Sequence, residues 1–319
     1  MGLPKVVALS SLLTFLPFTL AYPLIGEYMP VSNVLEHSQM SIDVKAFQDK
    51  LVGESPDYAG AKAIYVNGGG NSCKGPTQPR TLQGFATTDL SSESFGATYA
   101  GANLATDFWN TWMLSALDGT GDFAGLSDRK RVTCLNKGVL GLMTYYASHE
   151  LESGISKASV ESSRSDSNSG HAWDEGWAFY YGADPNGLYS PWEVSVKRDG
   201  DFPNGTQVQT EIVPHFNKGL ISVRNATYNA NDAVEARDTI YRMWAITYLR
   251  AALKYLMIAE LNYDEKAHSE GYAYYLPIHG WIHSKNSDVA DLLLEKLAIT
   301  QTSILSGSYC EAKTALEAA

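Results

Sequence analysis

The stretch that decides the fold is His171-Ala-Trp-Asp-Glu-Gly-Trp-Ala-Phe-Tyr-Tyr-Gly182, an aromatic run that carries three potential metal ligands. On a helix, His171 and Glu175 are four residues apart and share one face, with Asp174 beside them. The aromatic neighbours indicate a buried helix, and a buried carboxylate must be paired, hydrogen-bonded or bound to a metal. The segment therefore predicts a buried helix whose acidic face needs a partner.

A second copy of this pattern lies further along the chain. Glu270-Gly-Tyr-Ala-Tyr-Tyr275 repeats the order Glu-Gly-aromatic-Ala-aromatic-Tyr that begins at Glu175, and each copy follows a long helical pattern. A chance match over six positions is one explanation. We favour an ancestral duplication of a helix pair, with pseudo-repeats at about residues 127–182 and 231–280. The repeat is degenerate, because Lys266 stands where the first copy has His171.

Helical periodicity extends through most of the chain. Ser127 is the predicted N-cap of one long helix, and the longest helical pattern covers residues 231–260. Residues 153–170 are rich in serine and predict a mobile loop, whereas residues 186–215 are the most strand-like or irregular. We therefore predict an all-α fold, a single-domain multi-helix bundle with a degenerate helix-pair duplication, over residues 22–319.

The first 21 residues are typical of a secretory signal peptide. Lys5 precedes an apolar run that is short for a membrane span, and Thr19 and Ala21 supply small residues before a cleavage site. A buried N-terminal helix is the alternative, and Pro17 argues against it. No later stretch reaches membrane length, so we predict that the mature chain has no membrane span and is secreted or periplasmic.

The cysteines and the glycosylation sequons fit this compartment. Cys73, Cys134 and Cys310 are too few for a disulfide scaffold and too scattered for a zinc or iron–sulfur cluster. We prefer a Cys73–Cys134 disulfide, which leaves Cys310 as the odd thiol. The sequons at Asn204 and Asn225 predict N-glycosylation.

Charge and missing motifs exclude several function classes. The chain has 35 acidic against 24 basic residues, so nucleic acid is not an expected partner. The acidity suits cations, although a merely soluble surface explains it equally well. The chain has no nucleophile elbow, phosphate loop or dinucleotide fingerprint, and His149-Glu150-Leu-Glu-Ser153 lacks the second histidine of a zinc-protease helix.

A metal site is the chemistry that the repeated motif best supports. Helix bundles bind metals through inward-facing carboxylates and imidazoles. We expect Glu150, His171, Glu175 and Glu270 to share one mononuclear or dinuclear site, with Asp174 either a ligand or a partner that orients an imidazole.

Packing is the alternative interpretation of the motif. The glycine would allow two helices to approach, and the glutamate would pair with an arginine such as Arg242 or Arg250. His37 and Asp43 have a weaker case as ligands, because isolated residues of these types are more often surface or capping residues.

These motifs resemble those of the algal iron-assimilating proteins, also called low-iron-inducible or high-carbon-dioxide-inducible periplasmic proteins. The likeness includes residues 171–182, Ala61 to Ser72 and Ala116 to Thr120, in the same order. It implies a secreted protein that aids iron uptake, with iron (Fe2+ or Fe3+) bound and a membrane iron transporter or reductase as partner. His171, Asp174 and Glu175 are the site residues that carry over, with Glu270 added through the internal repeat.

We therefore expect an iron-binding protein without catalytic activity. One alternative is a carboxylate-bridged, ferroxidase-like metal oxidase that uses the same residues. The other is a non-catalytic cell-wall or structural protein in which the motif only packs.

Overall fold

The computed structural model describes residues 23–75 and 77–318, and nearly all of its regular structure is helical. A two-stranded antiparallel hairpin is formed by β1 (Cys73–Lys74) and β2 (Gln78–Pro79). The helices are α1 (Leu35–Ser38), α2 (Met40–Asp49), α3 (Tyr58–Asn67), α4 (Leu82–Ala86), α5 (Ser94–Gly101), α6 (Phe108–Asp118), α7 (Asp128–Ser159), α8 (Ser169–Tyr181), α9 (Pro191–Asp201), α10 (Val208–Arg224), α11 (Ala230–Leu261), α12 (Glu265–Lys285), α13 (Ser287–Leu297) and α14 (Ser308–Ala318). The predicted all-α, multi-helix bundle is confirmed. The predicted signal peptide lies outside the described residues.

The two longest helices of the bundle are α7 and α11, with 32 residues each. The Ser127 hydroxyl caps α7 by accepting the backbone N–H of Lys130 at 3.2 Å, as the sequence predicts. The helix runs through the first part of the predicted 153–170 loop to Ser159, because Gly154 and Ala158 extend its buried face. Much of the stretch predicted as a mobile loop is therefore helical.

Five helices close into a ring around the core. α7 packs against α8 on one side and α12 on the other, while α11 packs against α12 and α10, and α10 returns to α8. The interior contains the fully buried side chains of Trp173, Trp177 and Trp244, which belong to one connected hydrophobic cluster. Within this ring α8, the helix of the opening motif, packs against α7 and α10.

The glycines of both motif copies lie against neighbouring helices. A methyl group placed on Gly176 would lie 2.7 Å from Cδ2 of Leu151 on α7, and one on Gly271 would lie 2.9 Å from Cδ2 of Leu297. Both contacts are closer than normal van der Waals distance, so each glycine permits a close helix approach. The pairs α7–α8 and α11–α12 have the order that the duplication hypothesis requires, and the duplication itself stays a prediction.

The strand-like or irregular interpretation of residues 186–215 is wrong. They contain α9 and the first turns of α10. Pro191 occupies the first turn of α9, where its missing N–H costs nothing. The buried carboxylate of Asp199 accepts the N–H groups of Val208 and Gln209 at 3.0 and 2.9 Å, which satisfies the start of α10.

The predicted disulfide is absent, since all three cysteines are free thiols. Cys134 is buried inside α7 with its thiol 3.9 Å from the carbonyl oxygen of Ser269 on α12, whereas Cys73 lies in the hairpin beside α1. Asn204 and Asn225 are exposed, and their glycosylation stays a prediction. Among the described residues, none of the helices has the length and hydropathy needed to cross a bilayer.

Candidate metal centre

The first two side chains of the site come from one face of α8. His171 and Glu175 are one helical turn apart, and Nε2 of His171 lies 2.9 Å from Oε1 of Glu175. This is the neighbouring placement that their spacing predicts.

His37, from the short helix α1, completes a three-residue cluster. Its Nε2 lies 2.7 Å from the same Oε1 of Glu175, and the ligand atoms of His37, His171 and Glu175 all lie within 4.8 Å of one another. Neighbouring ligands about 2.1 Å from one ion are separated by about 3.0 Å in an octahedral site and about 3.4 Å in a tetrahedral one, slightly more than the two contacts of 2.7 and 2.9 Å to Glu175. The cluster therefore has the composition and spacing of a two-histidine, one-carboxylate metal site.

A loop that follows α3 fixes α1. The Ser72 hydroxyl donates to the carbonyl oxygen of Glu36 at 2.7 Å, next to His37. The loop is itself held by Asp43, whose carboxylate accepts the side-chain amide of Asn71 at 2.7 Å and its backbone N–H at 3.1 Å. Asp43 is thus buried and supports His37 indirectly, whereas the sequence suggested a surface or capping role.

Asp174 binds groups of the segment from Tyr28 to Ser32 and is not a member of the cluster. Its carboxylate accepts the Tyr28 hydroxyl at 2.6 Å, the N–H groups of Val31 and Ser32 at 2.9 Å each, and the Ser32 hydroxyl at 2.7 Å. Burial raises the pKa of Asp174 to about 6, although these hydrogen bonds favour its ionised form. Its role is to hold the segment from Tyr28 to Ser32 against α8.

Through Ser32, Asp174 also orients the imidazole of His171. The Ser32 hydroxyl donates its one proton to Asp174 and lies 2.8 Å from Nδ1 of His171, so it accepts a proton from that nitrogen. With Nδ1 protonated in this way, Nε2 is the nitrogen that faces Glu175. It can donate a proton to the carboxylate, or give its lone pair to a metal ion that takes the place of that proton.

Glu150 on α7 adds a second carboxyl group to the site. Burial raises the pKa of Glu150 well above its usual range, and the charge of Glu175 and a hydrogen bond with it raise it further. Burial would also raise the pKa of Glu175, but hydrogen bonds from His171 and His37 outweigh it and hold that pKa well below its usual range. In the metal-free protein Glu150 therefore carries the proton and Glu175 is ionised.

Two further groups surround His37. Burial lowers the pKa of His37, so its imidazole is neutral at neutral pH. Its Nδ1 is buried and has no hydrogen-bond partner among the described residues, while a guanidinium nitrogen of Arg80 contacts its Nε2. Tyr146 on α7 lies close to the carboxyl pair, and burial followed by the charges of Glu150 and Glu175 raises its pKa.

The structure does not bring Glu270 to this cluster. Glu270 forms an ion pair of 3.5 Å with Lys137 on α7, and Lys137 is about 20 Å from Glu150 along the helix axis. The packing interpretation of the second motif fits this contact, although the partner is Lys137 and neither Arg242 nor Arg250.

The sequence indicated His171, Glu175 and Glu150 and gave His37 only a weaker case, and it did not indicate Arg80 or Tyr146. His37 and Arg80 reach the site through long-range packing of a four-residue helix and a hairpin, so no local spacing identifies them. Tyr146 has a local signal, because it lies one helical turn before Glu150 on the same face.

The ring of helices and the two-histidine, one-carboxylate cluster define a helical protein with a candidate metal centre. The chain belongs to the low iron-inducible periplasmic protein family, whose model matches residues 3–302. The resemblance found in the sequence is confirmed, and so is the periplasmic location. The searches of curated proteins and of solved structures gave no significant match.

Proposed function

We propose that this protein binds iron in the periplasm at His37, His171 and Glu175 and delivers it to a membrane iron transporter or reductase. The observation that carries the proposal is the convergence of three ligand atoms within 4.8 Å, in a chain of an iron-responsive family. Two imidazoles and one carboxylate with remaining open positions are a donor set typical of ferrous iron.

The protonation states in the site support uptake of a cation. The Nε2 atoms of His37 and His171 both face the ionised oxygen of Glu175, and a cation between them would bind all three. Glu150 would lose its proton and supply a second negative charge as the ion enters. Binding is therefore expected to release protons and to weaken at acidic pH.

The exposure of the ligands suits a carrier. The side chain of His171 is 31% exposed, that of Glu175 16% and that of His37 9%. An ion can therefore enter and leave on the His171 side, while α1 closes the opposite side.

The repeated motif provides a matched pair of variants for the test. Metal content and affinity would be measured after anaerobic loading with Fe2+ for wild type, Glu175→Gln and Glu270→Gln. We expect about one iron per chain in wild type and in Glu270→Gln, and at least a hundredfold weaker binding in Glu175→Gln. Equal binding by all three proteins would remove the cluster from the function.

The Glu150–Glu175 carboxyl pair favours a ferroxidase as the second candidate. Such an enzyme needs two metals about 3.5–4 Å apart bridged by carboxylates. Oxygen uptake after addition of two Fe2+ per chain, lost in Glu150→Gln, would support it. Oxygen uptake no faster than in buffer would exclude it.

A further inference from the structure

Arg80 places a guanidinium group against the proposed ligand nitrogen of His37. It follows β2, and its backbone N–H donates to the carbonyl oxygen of Ser72 at 2.9 Å. Its side chain donates to the carbonyl oxygen of Cys73 and contacts Nε2 of His37. No carboxylate of the described residues forms an ion pair with Arg80. The titratable groups nearest to its guanidinium are those of the metal centre.

The contacts of His37 Nε2 cannot all be satisfied at once. If this nitrogen carries a proton, it donates to Glu175 but opposes the N–H group of Arg80. If it carries a lone pair, it accepts from Arg80 but opposes the carboxylate. A metal ion would take the same lone pair, and Arg80 would then have to leave it.

We propose that Arg80 is a charge-selecting residue that occupies the ligand nitrogen of His37 in the metal-free site, is displaced when the ion binds, and disfavours trivalent relative to divalent cations. This inference rests on the proposed function, because it assumes that His37 is a ligand. The hairpin holds the guanidinium charge of Arg80 near the bound ion after it leaves His37.

The selectivity follows from Coulomb's law. Repulsion between Arg80 and the bound ion is proportional to the charge of the ion, so a trivalent ion is opposed about half as strongly again as a divalent one. If loss of the guanidinium strengthens Fe2+ binding about tenfold, the same change strengthens binding of a trivalent ion about thirtyfold.

The test compares Fe2+, under anaerobic conditions, with Ga3+, a trivalent ion that has no redox chemistry here. Affinities would be measured by competition with one chelator in one buffer for wild type, Arg80→Met, Arg80→Lys and Arg129→Met. Arg129 lies at the start of α7, about 30 Å along the helix from Glu150, and forms an ion pair with Asp264. It serves as the charge-matched control.

We expect Arg80→Met to strengthen binding of both ions and of Ga3+ more. Arg80→Lys, which keeps the charge, should keep the wild-type ratio of the two affinities, and Arg129→Met should match wild type. Weaker binding of both ions by Arg80→Met would overturn the inference, because the guanidinium would then support the bound ion. An equal gain in affinity for both ions would also overturn it, because the effect of Arg80 would then come from the shape of its side chain and not from its charge.

A measurement on wild type covers the case in which Arg80→Met does not fold. Displacement of Arg80 should speed amide hydrogen exchange in the peptide 72–80 when Fe2+ is added, and unchanged exchange would contradict displacement. If wild-type protein binds neither ion, the proposed function and the inference fail together. If binding depends on Glu175 but not on the charge at position 80, the inference alone fails.

Discussion

The variant Ser32→Ala tests metal binding in a protein that is still expected to fold. Ser32 links the buried carboxylate of Asp174 to Nδ1 of His171 through contacts of 2.7 and 2.8 Å. Without the hydroxyl, nothing fixes the tautomer of His171, and a fraction of the molecules would present Nε2–H to the metal instead of a lone pair. We expect the variant to fold and to bind iron more weakly.

The expected losses of folding stability and of iron affinity can be worked from the contacts that Ser32→Ala keeps and removes. Asp174 keeps its bonds to the Tyr28 hydroxyl and to two backbone N–H groups, so loss of one hydrogen bond to a charged group should cost about 1.5–3 kcal/mol of folding stability. Loss of a group that orients a ligand typically weakens metal binding about 10- to 100-fold. That range corresponds to about 1.4–2.7 kcal/mol of binding free energy.

The assay is chelator competition with Fe2+, combined with urea unfolding of the metal-free protein. Ser195→Ala is the matched control, because Ser195 is also buried and links two side chains, Tyr180 at 2.6 Å and Thr247 at 3.2 Å. It should lose similar stability and no iron affinity. The reasoning is refuted if Ser32→Ala folds and binds iron within about threefold of wild type, or if Ser195→Ala weakens binding equally.

Three further outcomes are expected. Asp174→Ala should lose about 3–5 kcal/mol in urea unfolding, because two backbone N–H groups and two hydroxyls lose their buried acceptor; a loss below about 1 kcal/mol would show that water replaces the carboxylate. Because the pKa of Glu150 is raised on folding, wild-type metal-free protein should lose stability relative to Glu150→Gln as pH rises above about 4.3, the unfolded value; parallel stability curves would contradict this assignment. Gly176→Ala should cost about 1–3 kcal/mol, because its methyl group would lie 2.7 Å from Leu151; an unchanged urea midpoint would show that Leu151 moves aside.

The helices were predictable where local signals agree. Ser127 caps α7 as expected, and the periodicity of residues 231–260 gives α11 almost to its ends. The errors lie where tertiary contacts override composition. The serine-rich end of α7 is helical because Gly154 packs against α8, where a methyl group would lie 3.2 Å from the backbone nitrogen of Trp173. Polar composition alone does not show that contact.

The site was predictable only as far as helical spacing reaches. His171 and Glu175 follow from a four-residue interval, and Glu150 from its place on the preceding helix. His37 and Arg80 do not, because the Asp43-bound loop and the hairpin that position them depend on long-range contacts. Glu270 was expected at the same site because its motif matches that of Glu175, but its surroundings on α7 supply Lys137 and no imidazole. Motif similarity therefore indicated shared packing without showing shared chemistry.

The most direct test of the metal centre is a crystal structure of the iron-loaded protein with anomalous data collected at the iron edge. We expect one strong peak about 2.1–2.2 Å from Nε2 of His37, Nε2 of His171 and Oε1 of Glu175, with the Arg80 guanidinium moved away from His37. A peak beside Glu270, or loaded crystals without a peak at the cluster, would contradict the account.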